Sequence, residues 1–251
     1  MMLSPFTPLF FPSSKADGIE SEYVQTFSTD DEILVEIFGM PTESLNFELY
    51  KEPAHTEVSL SVFSTLSIDS STSLYYSKLK LPAGFYSASF EGRRSTMFRV
   101  TSDTSVLEDT VLIQYSPADN RTRADVVAYI GTERQFFAFR IPGGFEDKGW
   151  SFSVDNEQFT TEQADIIELY ARESIQKILK IGDSAGVPIW FGQMINRILT
   201  CKYVYLDGLR YARYQSSVPE SEQVADGVNS FIFSQKVQQI NNINPQISSL
   251  S

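Results

Sequence analysis

Histidine and cysteine are almost missing from this chain: His55 and Cys201 are the one example of each in 251 residues. A lone cysteine excludes an internal disulfide. One imidazole and one thiol, far apart in sequence, do not make a zinc site of the usual ligands. A Ser-His-Asp arrangement would have to run through His55, which sits in the turn KEPAHTE and reads as a surface residue. Basic residues are also short, with 20 Lys and Arg against 32 Asp and Glu, a formal net charge of −12. That balance disfavours sequence-independent binding to phosphate backbones. It is compatible with a wall that DNA slides past without being held. No apolar run approaches the roughly 20 residues of a membrane-spanning helix. No stretch matches an EF-hand loop, a P-loop or a dinucleotide fingerprint, and no cofactor is implied.

What is abundant favours strands. Nineteen Phe and twelve Tyr accompany many Ser, Thr and Val, the residue types of a pleated, half-buried surface. Residues 1–30 read as an extended arm rather than a signal peptide, because Pro5, Pro8 and Pro12 interrupt the apolar run and no basic segment precedes it. Leu9, Phe10 and Phe11 are its anchors. Residues 31–105 carry short alternating runs at 33–38, 45–50, 58–63, 74–81, 85–90 and 97–100, punctuated by Pro, Gly, Ser and Asp. This is the signature of a small β-sandwich or barrel. The polar segment SDTSVLEDT ends that domain.

A second β-rich domain is expected over residues 106–238, followed by a polar C-terminal arm at 239–251. Strands are predicted at 111–115, 126–130, 135–141 and 150–154, with Pro142-Gly143-Gly144 breaking the third from the fourth. A further strand is predicted at 174–181. Residues 188–200 predict one bracing helix: Pro188 suits a first helical position, and Trp190, Phe191, Met194, Ile195, Ile198 and Leu199 make one apolar face. Core packing accounts for Trp190. The hairpin follows at once, with Asp207-Gly208 between Tyr203–Leu206 and Leu209–Tyr211, a pair suited to a type I′ turn. A last strand spans 230–237. The fold class is therefore mainly β: two sandwich- or barrel-like domains, the second braced by one helix.

Few residues suggest chemistry. Asp155, Glu157, Glu162 and Asp165 form an acidic run around Asn156. It reads as a solvated turn; glycoside hydrolysis would need two carboxylates at a defined separation, and calcium would need a fuller ligand pattern. Gly143-Gly144 precedes Glu146-Asp147, negative charge where a phosphate cradle would want none. The pairs Arg93-Arg94 and Arg121/Arg123 are too sparse for a nucleic-acid footprint and suit ion pairs. Trp150 and the many tyrosines offer a sugar-stacking platform, the basis of a second reading as a host-recognition, carbohydrate-binding module of a tail or baseplate. A glycosidase is the third reading.

Three segments carry a resemblance: IPGGFEDKGWSFSVDNEQF (141–159), LKIGDSAGVPIWFGQMINRIL (179–199) and YLDGLRYARYQSSVPE (205–220). Over roughly residues 135–240 the chain resembles structural proteins of phages and prophages of Bacteroides-type bacteria, crAss-like phages among them. Their layout is that of tail-hub or distal-tail proteins. After the hairpin tyrosine this chain has Ala212 and Gln215, where the group often has Arg or Ser. The resemblance implies β-rich domains forming a ring around a tail axis, and it brings no catalytic residue. The leading expectation is thus a virion tail subunit, a ring-forming hub or adaptor assembled in the host bacterial cytoplasm. Its partners would be copies of itself and other tail proteins, with DNA passing unbound. The arms are expected to dock on this subunit or its neighbours. Leu9, Phe10, Phe11, Asp207, Gly208 and Leu209 are the expected subunit contacts, the hairpin projecting to make them.

Overall fold

The computed structural model describes residues 1–12, 19–59, 63–146, 151–163, 165–215 and 217–243. The chain is mainly β, and two helices, Thr104–Glu108 and Ile189–Ile198, occur among the described residues. None is long and apolar enough to cross a membrane.

The first body is a sandwich. One sheet runs Met2–Leu3, Ile33–Gly39, Ser73–Leu79, Ser64–Ser67; the other runs Gln25–Ser28, Phe98–Thr101, Gly84–Phe90, Phe47–Glu52, Thr56–Glu57. Alternation explains its core. Ile33, Val35 and Ile37 face Leu49, Tyr86, Ala88, Phe90, Phe98 and Val100, all buried. The second face of strand Ile33–Gly39, formed by Leu34, Glu36 and Phe38, is also covered: Leu34 belongs to the core of the second body.

The second body is a closed barrel of six antiparallel strands. Going round, these are Thr110–Ser116, Phe137–Phe145, Ile166–Ile181, Phe231–Ile243, Leu209–Arg213 and Tyr203–Leu206, the last pairing with the first. Closure removes the unpaired edges that an open sheet would present. Its filling comes from alternate residues such as Ile113, Tyr115, Phe137, Phe139, Leu179, Val204, Tyr211 and Phe233. Helix Ile189–Ile198 lays Trp190, Phe191, Met194, Ile195 and Ile198 onto the same core. Gly192 lets it approach: a Cβ there would lie 2.5 Å from the Phe233 ring.

Residues 1–12 strap the two bodies together. Phe6 is fully buried in the barrel core beside Tyr115 and Phe137, whereas Leu9 is buried in the sandwich core. Polar bonds hold the strap between them. The Tyr115 hydroxyl donates to Phe6 O (2.6 Å), Arg197 to Pro5 O (2.7 Å), Gln25 to Pro8 O (2.8 Å) and Thr96 N to Phe10 O (2.9 Å). Two further links cross the seam. Arg140 grips Asp31 with two bonds of 2.9 and 3.0 Å. Glu36, fully buried, accepts a bond from Val127 N at 3.1 Å with Oε2. Its Oε1 has no partner among the described residues, and burial pushes its carboxyl up to about 8.

Several sequence expectations shift. Pro142-Gly143-Gly144 does not break a strand; it lies inside Phe137–Phe145, where the strand changes partner. Residues up to Pro142 pair with Thr110–Tyr115, and Gly143–Phe145 pair with Leu179–Ile181. Proline lacks the N–H that would continue the first ladder, and Gly143 sits at φ 110° where a Cβ would run into the Lys180 carbonyl. The strand expected at 126–130 is reduced to Tyr129–Ile130, because Val126 and Val127 are buried in the seam as loop. The run at 58–63 lies partly outside the described residues; pairing resumes at Ser64–Ser67. Pro188 is the N-cap, with ψ 154°, rather than the first helical residue. Gln25–Ser28, placed by sequence in the arm, is a sandwich strand lying parallel to Phe98–Thr101.

Two measurements check this account. Phe6→Ala should lower unfolding stability by about 3–5 kcal/mol, the usual cost of emptying a buried phenylalanine site. For Glu36, a folded-state value of about 8 against an ordinary 4.5 means the native state keeps a proton that the unfolded chain has released. Stability attributable to this group is therefore intact below about pH 4.5 and declines as pH rises towards 8. Glu36→Gln should abolish that decline, gaining on the order of 3 kcal/mol on the parent at pH 7. Melting curves offset by a constant amount across this range would contradict it.

Candidate functional site

The chemistry-bearing side chains are dispersed, and the place where several converge is organised around a carboxylate. Glu52 ends its strand opposite Phe85, and His55 follows in an exposed turn at φ 50°. One oxygen, Glu52 Oε1, accepts from Ser87 Oγ (2.7 Å), pairs with Arg94 Nη2, and lies 3.2 Å from His55 Nδ1. Arg94 Nε also donates to Ser87 Oγ at 3.2 Å, and the His55 ring is stacked on Tyr50 at 4.1 Å. The Ser87 bond first, then those from His55 and Arg94, hold the Glu52 carboxyl below its usual range. Ser87 thus gives its proton to an ionised carboxylate rather than to an imidazole. The cluster lacks the nucleophile–base pair of a hydrolase.

The acidic run is not a turn over its whole length. Asp155 and Glu157 are alternate positions of strand Ser151–Thr160, their backbones paired with Arg172 and Tyr170. Glu162 and Asp165 belong to the connection that follows, closed by Thr161 N to Asp165 O (2.8 Å). No three His, Cys, Asp or Glu side chains come together as metal ligands among the described residues. Trp150, the anchor of the sugar-stacking reading, lies outside the described residues.

The acidic run instead belongs to a two-stranded ribbon. Ser151–Thr160 pairs along Ile166–Gln176, with a register shift at Glu157/Gln158. Beyond the barrel, Ile166–Ile175 has no other described partner, and Ser151–Thr160 has none on its outer edge. At about 3.3 Å per residue the ribbon extends roughly 30 Å. Phe159 is 47% exposed and Ile166 69%. Thr160 pairs with Ile166, so Phe159, one position along, points to the opposite face. Both faces of the tip therefore carry an uncovered apolar side chain.

No family model, curated protein or solved structure matches this chain.

The expected contact residues fall in two places. In the strap, Leu9 is buried, Phe10 stacks on Trp190 at 4.9 Å, and Phe11 meets Phe90 edge-on at 6.4 Å, all within the chain. The Asp207-Gly208 turn has the type I′ signature, φ 46° and 81°, but it does not project. Asp207 Oδ1 accepts from Leu112 N, and Asp207 N donates to Leu112 O, both at 2.9 Å, stitching the turn to the neighbouring strand. Gly208 is buried and Leu209 is 41% exposed. Cys201 packs against the barrel core, and burial pushes its thiol up to about 12, which leaves it unreactive. Of the basic pairs, Arg94 is bound to Glu52 and Arg123 to Asp125 (2.6 Å).

Sequence reasoning passed over the ribbon, because polar residues interrupt its alternation, and over Glu36, whose neighbours are all apolar. The stitched turn gives a test. Asp207→Ala should cost about 1–2 kcal/mol by losing a bond and a residue tolerant of positive φ. Asp207→Asn, which keeps both, should cost much less in the same denaturation experiment.

Proposed function

We propose that this chain is a structural subunit of a phage tail, a hub or adaptor that assembles into a ring around the tail axis. The observation that carries the reading is the ribbon. A two-stranded ribbon is at best marginal alone in water, and open edges are templates for pairing with other chains. This one has two open edges and an exposed apolar residue on each face of its tip. In a cyclic array each copy would offer one edge and receive its neighbour on the other, a heterologous contact that closes by rotation.

Three further features support the reading. The strapped, closed barrel gives the ribbon a firm base. The similarity of residues 141–159, 179–199 and 205–220 to tail-hub and distal-tail proteins agrees with it. The formal charge of −12 suits a passage for DNA that binds none of it specifically. Other tail proteins would then stack on the ring, in a virion built in the host cytoplasm.

Mass photometry at micromolar concentration tests the proposal. A discrete cyclic oligomer is expected. Phe159→Lys combined with Ile166→Lys should shift it to monomer while leaving the melting temperature of the body nearly unchanged, since both side chains lie outside the cores. A strictly monomeric chain that is also absent from purified virions would refute it.

A further inference from the structure

The outer face of the second sandwich sheet holds an open cavity of about 590 Å³, within the range of small-molecule sites. Its wall is largely apolar, from Pro53, Phe85 and Met97, and its polar residues are Glu52, Ser87, Arg94 and Ser95, the last already bonded to backbone through Ala88 N and Thr96 O. Phe85 and Met97 are 40% and 44% exposed, although neither is needed by the sandwich core on the other side of the sheet.

The bonding of the polar pair is one-sided. All three partners of Glu52 converge on Oε1, and Arg94 spends Nε and Nη2 within the cluster. Among the described residues, Glu52 Oε2 accepts no hydrogen bond and Arg94 Nη1 donates none. An ionised carboxylate and the guanidinium paired with it thus each keep one unbonded polar atom at a site with an apolar wall. An anionic ligand would meet the Glu52 carboxylate, and a cationic one the Arg94 guanidinium. A purely apolar ligand would strip water from both and return nothing, a costly outcome for charged groups. What fits is a neutral group that donates and accepts at neighbouring atoms. A hydroxyl does both, so two adjacent hydroxyls on one ring can take a bond from Arg94 and give one to Glu52. A pyranose ring carries such a pair, together with a C–H face to lie against Phe85.

We propose that this cavity is a binding site for a neutral hexopyranose, the terminal or internal unit of an uncharged glycan. Ser87 is a positioning residue that keeps Glu52 Oε1 occupied and leaves Oε2 for the ligand. The site lies on the sandwich, whereas the ribbon springs from the barrel, so its occupancy does not depend on ring formation.

The test is a binding assay of the full chain with maltohexaose, cellohexaose, mannohexaose and galactohexaose at up to millimolar concentration, alongside sialylated oligosaccharides. At least one neutral oligosaccharide should bind and perturb the NMR signals of Met97 and Phe85. Phe85→Ala and Arg94→Lys should each weaken that binding by about tenfold or more. Both positions are exposed, and unchanged melting would show the variants folded. The proposal is overturned if no neutral oligosaccharide binds, if sialylated ones bind instead, or if binding survives both substitutions. None of these results bears on the oligomeric state, which is read separately.

Discussion

The burial of Phe6 and Leu9 in different cores is the constraint on which the arrangement of the chain depends. Three residues apart in a strap that turns at Pro5-Phe6, they cannot both be satisfied unless sandwich and barrel lie against one another. The polar contacts then follow from proximity. The strap carbonyls of Pro5, Phe6 and Pro8 find donors in Arg197, Tyr115 and Gln25, one from the helix, one from the barrel wall and one from the sandwich. Backbone groups in a buried segment need such partners, and here the supply comes from both bodies.

The seam below the strap is more polar than either core. The Asp31–Arg140 pair is two-pronged, little exposed and further bonded, Asp31 Oδ2 accepting from Ser28 N at 2.7 Å. That is the geometry in which a buried ion pair is tolerated. Glu36 is the opposite case, a carboxyl with one oxygen bonded and one bare, held neutral by its surroundings. Specificity at this seam therefore rests on a charged pair and a neutral acid, with Asp31 just ahead of the strand that carries Glu36. Apolar contact alone, through Leu34, Phe38 and Val127, would leave the two bodies freer to slide.

Much of the fold was legible in the sequence, because its signals were local. Asp207-Gly208 forms the turn its φ angles require, and residues 189–198 present the apolar face that their spacing predicts. Other features were hidden because their causes are distant. Pro142-Gly143 looks like a stop until Lys180 is seen crossing it, and Val126-Val127 looks like a strand until Glu36 takes the amide that a ladder would have used. The Glu52 cluster joins positions 52, 55, 87 and 94, which no spacing rule connects. Strand pairing brings them together, with Lys51 opposite Tyr86 and Arg94 opposite Ser89.

The strap also imposes an order in time. Phe6 leaves the ribosome some two hundred residues before Val204, Leu206, Tyr211, Phe233 and Val237, which wall the core it enters. Its neighbour Pro5 waits across 192 positions for Arg197. The sandwich can gather while the barrel is still being made, but the strap has only half its anchorage until then. Such long-separated contacts form slowly, so the apolar arm stays unsatisfied until residues beyond 200 have been made. Its seating is a closing event, in which completing the barrel and fastening the two bodies become one step.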